Sequence, residues 1–159
     1  MGDEIESSAM TGGLRCGSIR YKVTSRPLFV MACHCTDCQE QTSSAFSLGM
    51  PVEKDGFSLT GEPVVVTKKA ESGNESRAYR CVTCAVWTHT TTDGSPDTVV
   101  VRPSTLDDTD WVKPVAQIFV RSAMAWARLD VPHSYEKEFD DPSEIVATFR
   151  ASRILEDAS

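Results

Sequence analysis

The chain has 159 residues, of which 40% are hydrophobic and 25% are charged, a composition typical of one soluble globular domain. Its 16 Lys and Arg residues against 23 Asp and Glu residues give a formal net charge of −7. This acidity argues against nucleic acid as a partner, because binding to phosphates needs clustered positive charge. No apolar stretch reaches the roughly 18–20 residues needed to span a bilayer. The first ten residues, MGDEIESSAM, lack the basic start and apolar run of a secretory signal. We therefore expect a cytoplasmic protein without a membrane partner.

The sequence predicts a mainly β domain of short strands joined by polar turns. Ile19, Tyr21 and Val23 alternate with polar residues, which is the period of a half-buried strand. In chain order, the predicted strands cover residues 19–23, 28–32, 46–48, 57–60, 64–67, 78–80, 86–92, 99–101 and 117–121. The turn Gly61-Glu62-Pro63 predicts a hairpin between the fourth and the fifth of them.

Helical signals are sparse and lie in two places. Residues 36–41 predict one or two helical turns, and residues 143–150 predict a short C-terminal helix that is capped by Asp141 or Ser143. The acidic run before that helix predicts a solvated link. We therefore predict three regions, namely a disordered acidic leader over residues 1–10, a β domain over 11–135 and an acidic tail over 136–159.

Six cysteines carry most of the functional information in the sequence. They are Cys16, Cys33, Cys35, Cys38, Cys81 and Cys84. Three disulfides are not expected in a reducing compartment, whereas each of the two C-x-x-C pairs directs two thiolates at one cation. A thioredoxin-like redox motif would contain a single pair beside a βαβ pattern, and unligated buried cysteines are rarely bunched in this way. The spacing favours metal binding over these two alternatives.

The segment Cys33-His34-Cys35-Thr36-Asp37-Cys38 offers three thiolates within six residues, which we call the local triad. Cys33 and Cys35 project to the same side of an extended segment, and a turn brings Cys38 back to meet them. Three protein ligands leave one position of a four-coordinate zinc ion to a substrate, which is typical of a catalytic site. A soft three-thiolate site also suits a sulfur-bearing substrate. The alternative is a structural site that takes a fourth ligand such as His34 or His89.

The other three cysteines, Cys16, Cys81 and Cys84, predict a second cluster, which we call the split triad. Its closure would join the N-terminal strand to a segment more than sixty positions later. Such a closure restrains the unfolded chain and stabilises a small β domain. The sequence shows no evident fourth ligand for this cluster.

Three motifs carry a resemblance to a known family. They are Gly12-Gly13-x-x-Cys16-Gly17-x-x-Arg20-Tyr21, Cys33-His34-Cys35-x-x-Cys38 and Cys81-x-x-Cys84, with softer matches at Thr105-Leu106-Asp107-Asp108 and at Ile118-Phe119-Val120-x-Ser122 with Trp126. In their order and spacing, over roughly residues 11–135, they resemble the glutathione-dependent formaldehyde-activating enzyme family, which also includes centromere protein V-like domains.

The resemblance implies a mainly β fold of the tent type, with short antiparallel sheets organised around two zinc sites. It implies that the local triad holds the catalytic zinc, and that a C-x-C pair and the later C-x-x-C hold the structural zinc. Leu14 stands where the family has the first cysteine of that C-x-C pair, so only the split triad remains for the second site. Gln39 stands where the family often has arginine, and Ala85 stands where it usually has glycine. Losing an arginine there would weaken recognition of a glutathione carboxylate.

The implied activity is the addition of the glutathione thiolate, bound at zinc, to formaldehyde, which gives S-hydroxymethylglutathione, or the reverse carbon–sulfur cleavage. We therefore expect a zinc-dependent carbon–sulfur lyase that acts on a small thiol such as glutathione. Arg20, Lys22 and Arg121 are candidate contacts for its carboxylates, while His34 either orients a ligand, moves a proton or simply faces solvent. The alternatives are a non-catalytic, zinc-stabilised interaction domain and a metal or thiol sensor.

Overall fold

The computed structural model describes residues 9–156, and within this range the protein is mainly β, as the sequence predicts. The strands found there are β1 (Met10–Gly13), β2 (Arg20–Val23), β3 (Met31–Cys33), β4 (Ser47–Glu53), β5 (Phe57–Thr60), β6 (Pro63–Lys69), β7 (Glu75–Cys81), β8 (Trp87–Thr92), β9 (Thr98–Val101), β10 (Ala116–Ile118) and β11 (His133–Ser134). The α-helices found there are α1 (Thr36–Thr42) and α2 (Ser143–Ala151). Neither helix is long and apolar enough to cross a membrane. The predicted disordered leader lies outside the described residues, except for its last two positions.

The described chain forms two compact units. The first unit contains residues 9–27 and 51–109, and the second contains residues 28–50 and 110–156. Strand β4 runs from the second unit into the first, because the boundary falls between Met50 and Pro51. The split triad lies entirely in the first unit, and the local triad lies entirely in the second.

One sheet of the first unit has the antiparallel order β1-β2-β5. Strand β2 buries Tyr21 and Val23 and exposes Arg20 and Lys22, which confirms the alternation seen in the sequence. Gly12 pairs with Tyr21, and a Cβ at Gly12 would come within 2.3 Å of the tyrosine side chain. A larger residue there would therefore force β1 away from β2.

The predicted hairpin over residues 57–67 is wrong. Strand β5 pairs with β2, whereas β6 pairs with β7, and Gly61, with a φ of 97°, redirects the chain between them. Phe57 on β5 is half-buried and packs against Tyr21 of β2 with ring centroids 5.7 Å apart. The strands β6, β7, β8 and β9 form an antiparallel ladder with β6 at its edge.

The second unit places β3 between β4 and β10. Strand β3 pairs antiparallel with β4 but parallel with β10, and β10 pairs parallel with β11. The expected antiparallel pairing therefore holds for the ladders β1–β2, β2–β5, β3–β4, β6–β7, β7–β8 and β8–β9, but not for these two. The predicted strand over residues 117–121 is also too long at its end. Strand β10 stops at Ile118, Phe119 is left-handed with a φ of 56°, and a 3₁₀ turn follows over Val120–Ser122.

The predicted C-terminal helix is present as α2. Its Ile145 and Phe149 are buried, and their spacing of four residues puts both side chains on one face of the helix. The N-cap position is held by Pro142, not by either of the predicted caps. Asp141 still supports the helix start, because its carboxylate accepts hydrogen bonds from the amide of Ser143 at 2.9 Å and from its hydroxyl at 2.6 Å.

The acidic segment before α2 packs on the second unit. The Phe139 ring lies edge-on to Phe29 with centroids 5.8 Å apart. The backbone N–H of Phe119 donates to the carbonyl of Lys137 at 3.0 Å. This segment therefore folds together with the strands around it. The division of the chain into a domain over residues 11–135 and a tail over 136–159 stays a prediction.

Candidate metal centres

Strand β3 and the start of α1 bring the three sulfurs of the local triad together. The Sγ atoms of Cys33, Cys35 and Cys38 all lie within 4.8 Å of one another. Cys33 ends β3, and Cys35 is the N-cap of α1, where its Sγ accepts a hydrogen bond from the backbone N–H of Cys38 at 3.3 Å. The first turn of α1 therefore carries Cys38 back toward the other two cysteines, in the way that the spacing predicts.

The chemistry of the local triad suits a bound cation. Cys38 is buried, and Cys33 and Cys35 are half-buried. Hydrogen bonding to Cys35 and to Cys38, together with burial, raises the pKa of the Cys33 thiol. Three thiolates this close together would repel one another, and a bound cation would offset that repulsion. Three sulfur donors of this kind fit zinc.

His34, between two cysteines of the local triad, is fully buried and does not face solvent. Its Nε2 lies 3.0 Å from Oε1 of Gln117, and the same oxygen accepts a hydrogen bond from the backbone N–H of Leu129 at 3.0 Å. Because this oxygen only accepts, the proton of a neutral His34 sits on Nε2 and Nδ1 carries a lone pair. This Nδ1 has no hydrogen-bond partner among residues 9–156.

Within the described part of the chain, no fourth ligand of the expected kinds joins the local triad. Over residues 9–156, neither group of three sulfurs includes a histidine, an aspartate, a glutamate or a further cysteine. His89, which the sequence offers as an alternative ligand, is buried in the first unit, where its Nδ1 lies 2.9 Å from the Thr88 hydroxyl and its ring stacks on Tyr79 at 4.2 Å. Burial lowers the pKa of His89 to about 4, so this histidine is neutral at physiological pH.

Two glutamines hold the backbone and side chain between Cys33 and Cys35. Gln39 of α1 donates from Nε2 to the carbonyl of His34 at 2.8 Å and to that of Ser122 at 3.0 Å. Gln117 of β10 binds the His34 ring and also donates to the carbonyl of Leu129 at 2.8 Å. Sequence reasoning noted Gln39 only as a departure from the family and missed Gln117. The one sequence feature that could have pointed to Gln117 is its polar side chain in an otherwise apolar strand, between Ala116 and Ile118.

A turn and the end of β7 bring the sulfurs of the split triad together. The Sγ atoms of Cys16, Cys81 and Cys84 lie within 4.8 Å of one another, and those of Cys16 and Cys81 are 3.6 Å apart. Hydrogen bonds from the backbone N–H of Cys84 and of Thr83 lower the pKa of Cys81 to about 7, and the latter bond is 3.3 Å long. Backbone donors aimed at sulfur favour its thiolate form, which is the form that binds metals.

Leu14 is part of the apolar core and has no atom that could bind a metal ion. It is buried and forms an apolar cluster with Ile19 and the side chain of Cys81, against which Leu59 also packs. The position where the family resemblance expects a cysteine therefore contributes core packing here and no sulfur.

The three candidate cations have different surroundings. Arg20 forms a bidentate ion pair with Asp107, with nitrogen–oxygen distances of 2.8 and 2.5 Å. Lys22 is exposed on β2 in the same unit. Arg121 is exposed in the second unit, with its guanidinium 6.0 Å from the Phe119 ring centroid. Of the three, Arg121 alone lies in the unit that contains the local triad.

Comparisons with known proteins agree with this arrangement. The family model described as glutathione-dependent formaldehyde-activating enzyme matches residues 9–122, a range that includes all six cysteines. Comparison with curated proteins gives no match. Among solved structures, the chain is similar to a crystal structure of a Rhodobacter sphaeroides protein, with 18% sequence identity and a TM-score of 0.51, over 66% of this chain and 92% of that chain. At this identity the likeness concerns the fold alone. Since the family match covers well over half of its residues, the chain belongs to the glutathione-dependent formaldehyde-activating enzyme family.

Proposed function

We propose that the protein is a zinc-dependent carbon–sulfur lyase that acts on glutathione and formaldehyde, with the local triad as its catalytic metal site. The observation that carries this proposal is the grouping of three half-buried or buried sulfurs that no further His, Cys, Asp or Glu of residues 9–156 joins. Zinc in proteins is almost always four-coordinate in such surroundings. Three protein sulfurs therefore leave the last position to a substrate thiol.

The proposed reaction needs neither an oxidant nor a reductant. A bond forms between the thiol sulfur of glutathione and the carbon of formaldehyde, and the thiol proton ends on the oxygen of the new hydroxymethyl group. Zinc held by the three cysteines would stabilise the negative charge of the thiolate, which is the nucleophilic form of a thiol. The reverse reaction breaks the same carbon–sulfur bond.

The chain's own contribution is to keep the three donors in place. The backbone between Cys33 and Cys35 is held by Gln39, and the ring of His34 is held by Gln117. The backbone N–H of His34 also donates to the carbonyl of Ile118 at 3.0 Å. A donor set fixed in this way needs little rearrangement when substrate arrives. Much of the rate enhancement of a preorganised site comes from avoiding such rearrangement.

Arg121 is the cation that we assign to a carboxylate of glutathione. It precedes Ser122, whose carbonyl accepts a hydrogen bond from Gln39, the same glutamine that binds the backbone of His34. This places the Arg121 backbone next to the segment that carries the local triad. Arginine binds carboxylates through two parallel hydrogen bonds.

A zinc-stabilised interaction domain is the second candidate, and it would be favoured by a fourth protein ligand at the local triad. His34 is the nearest histidine in sequence, but its Nε2 faces Gln117, and it does not join the group of sulfurs. This observation favours the enzyme over the interaction domain.

The proposal is tested with Cys35→Ser and, as a matched control, Glu40→Gln on the exposed face of α1. We would measure zinc per chain and the rate of exchange between ¹³C-formaldehyde and its glutathione adduct by NMR, above the uncatalysed rate. Cys35→Ser should lose zinc at the local triad and the catalysed exchange, whereas the control should keep both. Zinc at the local triad of the wild type without any acceleration of exchange would overturn the enzyme and favour the interaction domain.

A further inference from the structure

The split triad differs from the local triad in its exposure to solvent. Cys16 and Cys84 are exposed, and Cys81 is buried. The turn that carries Cys16 opens onto free space, since a Cβ at Gly17 would meet no atom within 4 Å. A metal ion bound to these three sulfurs would therefore be within reach of dissolved ligands.

The chain also offers this site fewer donors than a four-coordinate ion uses. Among the residues that the structure describes, no His, Asp, Glu or fourth cysteine joins the three sulfurs. The space beside the Cys81 side chain is filled by Leu14, which is 8% exposed and packs there with Ile19. An aliphatic side chain does not coordinate metals, so residues 9–156 leave the fourth ligand to another source.

We propose that the split triad is a surface metal site whose fourth ligand is an exchangeable small thiol from solution. A set of three soft thiolates favours a further soft donor. Arg80 stands beside the loop that carries Cys84, because its Nη1 donates to the carbonyl of Ala85 at 3.0 Å. Its positive charge offsets part of the negative charge that another thiolate brings.

The shape of the site does not depend on that fourth ligand. The Ala85 N–H donates to the Cys81 carbonyl at 2.8 Å and closes the loop that carries Cys84. The hydroxyl of Ser18, near Cys16, donates to that of Thr83 at 3.1 Å and ties the two halves of the triad together. The three sulfurs are thus held by the chain while the fourth ligand is free to leave.

This proposal does not rest on the proposed function, because the two triads share no residue and lie in different units of the chain. One concerns a substrate that reacts at the local triad. The other concerns a ligand that exchanges at the split triad and needs no reaction.

The test counts the thiols that bind to the cobalt-loaded protein. Glutathione is the titrant, and the sulfur-to-cobalt charge-transfer band reports each new sulfur ligand. Wild type is compared with Leu14→Cys, which adds a sulfur donor beside Cys81, and with Leu14→Ala, which removes the same apolar packing without adding a donor. Wild type and Leu14→Ala should bind one more thiol equivalent than Leu14→Cys. Zinc release to a chromophoric chelator should be slower in Leu14→Cys than in Leu14→Ala by about tenfold or more, a scale typical of changes at metal sites.

Equal thiol stoichiometry in wild type and Leu14→Cys would overturn the proposal, and so would equal rates of zinc release from all three proteins. Failure of the proposed function gives a different result, because the local triad then binds no thiol. Wild type would bind one thiol equivalent, at the split triad, and Leu14→Cys would bind none. Should Leu14→Cys not fold, Cys84→Ser replaces it. This variant should lose one cobalt and one thiol equivalent together, and loss of the cobalt alone would refute the exchangeable thiol.

Discussion

Replacing Ala85 with glycine should stabilise the protein. Ala85 follows the Cys81-x-x-Cys84 motif, is exposed and has a φ of 62°, in the left-handed region that favours glycine. The loop imposes this conformation, because the Ala85 N–H donates to the carbonyl of Cys81 at 2.8 Å while the Cys81 N–H donates to that of Val86 at 3.0 Å. Alanine therefore carries a conformational cost at this position that glycine would not.

Two opposing contributions set the size of the effect. A left-handed conformation costs a residue with a Cβ about 1–2 kcal/mol, and glycine relieves that cost. Glycine also loses more conformational entropy on folding than alanine, by about 0.4–1 kcal/mol. We therefore expect the free energy of unfolding to rise by about 0.5–1 kcal/mol. For a chain of this length, the melting temperature should rise by about 1–4 °C.

The assay is thermal and urea unfolding of the zinc-saturated proteins, followed by circular dichroism. Ala123→Gly is the matched control, since Ala123 has a φ of −64° and a ψ of 139°, which alanine adopts without strain. Glycine there should lower the free energy of unfolding by about 0.4–1 kcal/mol. If Ala85→Gly destabilises the protein as much as the control does, the loop imposes no strain on Ala85 and the reasoning is refuted.

Three further predictions concern titrating and buried polar side chains. Burial lowers the pKa of His89 to about 4 from 6.5. As the pH falls, His89 is therefore protonated in the unfolded state before it is protonated in the folded state, and this favours unfolding. Stability should drop by about 3 kcal/mol between about pH 6.5 and pH 4, and His89→Gln should remove this dependence in urea unfolding. Hydrogen bonding to Arg20 lowers the pKa of Asp107 to about 2 from 3.8; the stability that this pair contributes is present above the higher value and lost as the pH falls toward the lower one. Carboxyl NMR should show a higher Asp107 pKa in Arg20→Gln. Gln117→Leu removes the hydrogen-bond partner of the buried His34 ring and of the N–H and carbonyl of the half-buried Leu129, and it should lower the free energy of unfolding by about 2–4 kcal/mol in urea.

Each of these predictions has its own contradicting result. The reasoning on His89 is wrong if His89→Gln has the same pH dependence of stability as the wild type. The ion pair contributes nothing to acid stability if the Asp107 carboxyl titrates near 4 in the wild type. A change of less than about 0.5 kcal/mol in Gln117→Leu, as at an ordinary surface position, would mean that water replaces the lost amide.

The parts of the fold that depend on neighbouring residues could be predicted from the sequence. The alternation in β2 needs only the two-residue period of a strand, and it places Tyr21 and Val23 inside. The local triad needs only a strand end and one helical turn, so six residues of sequence contain its geometry. The grouping of Cys16 with the later C-x-x-C followed because these three cysteines remain once the local triad is assigned, and the structure brings their sulfurs together.

The parts that depend on long-range choices could not. Strand β5 pairs with β2 and not with β6, and the rings that Phe57 contacts there, those of Tyr21 and His89, are both far away in sequence. The parallel pairing of β3 with β10 joins segments whose patterns carry no direction. Gln117 was missed for the same reason, because a single polar residue in a strand shows its purpose only when His34 is seen beside it.

The two triads also show why ligand count alone does not assign a role to a metal site. Both contain three cysteines, and both include a C-x-x-C pair with a backbone N–H directed at a sulfur. At the local triad, side-chain amides from α1 and β10 hold the segment between two of the donors. At the split triad, two of the three cysteines are exposed, and the loop is closed by its own backbone. A reacting thiol needs a sheltered and fixed site, whereas ligand exchange needs access to solvent. These surroundings, and not the number of ligands, are the reason why we propose catalysis at the first triad and exchange at the second.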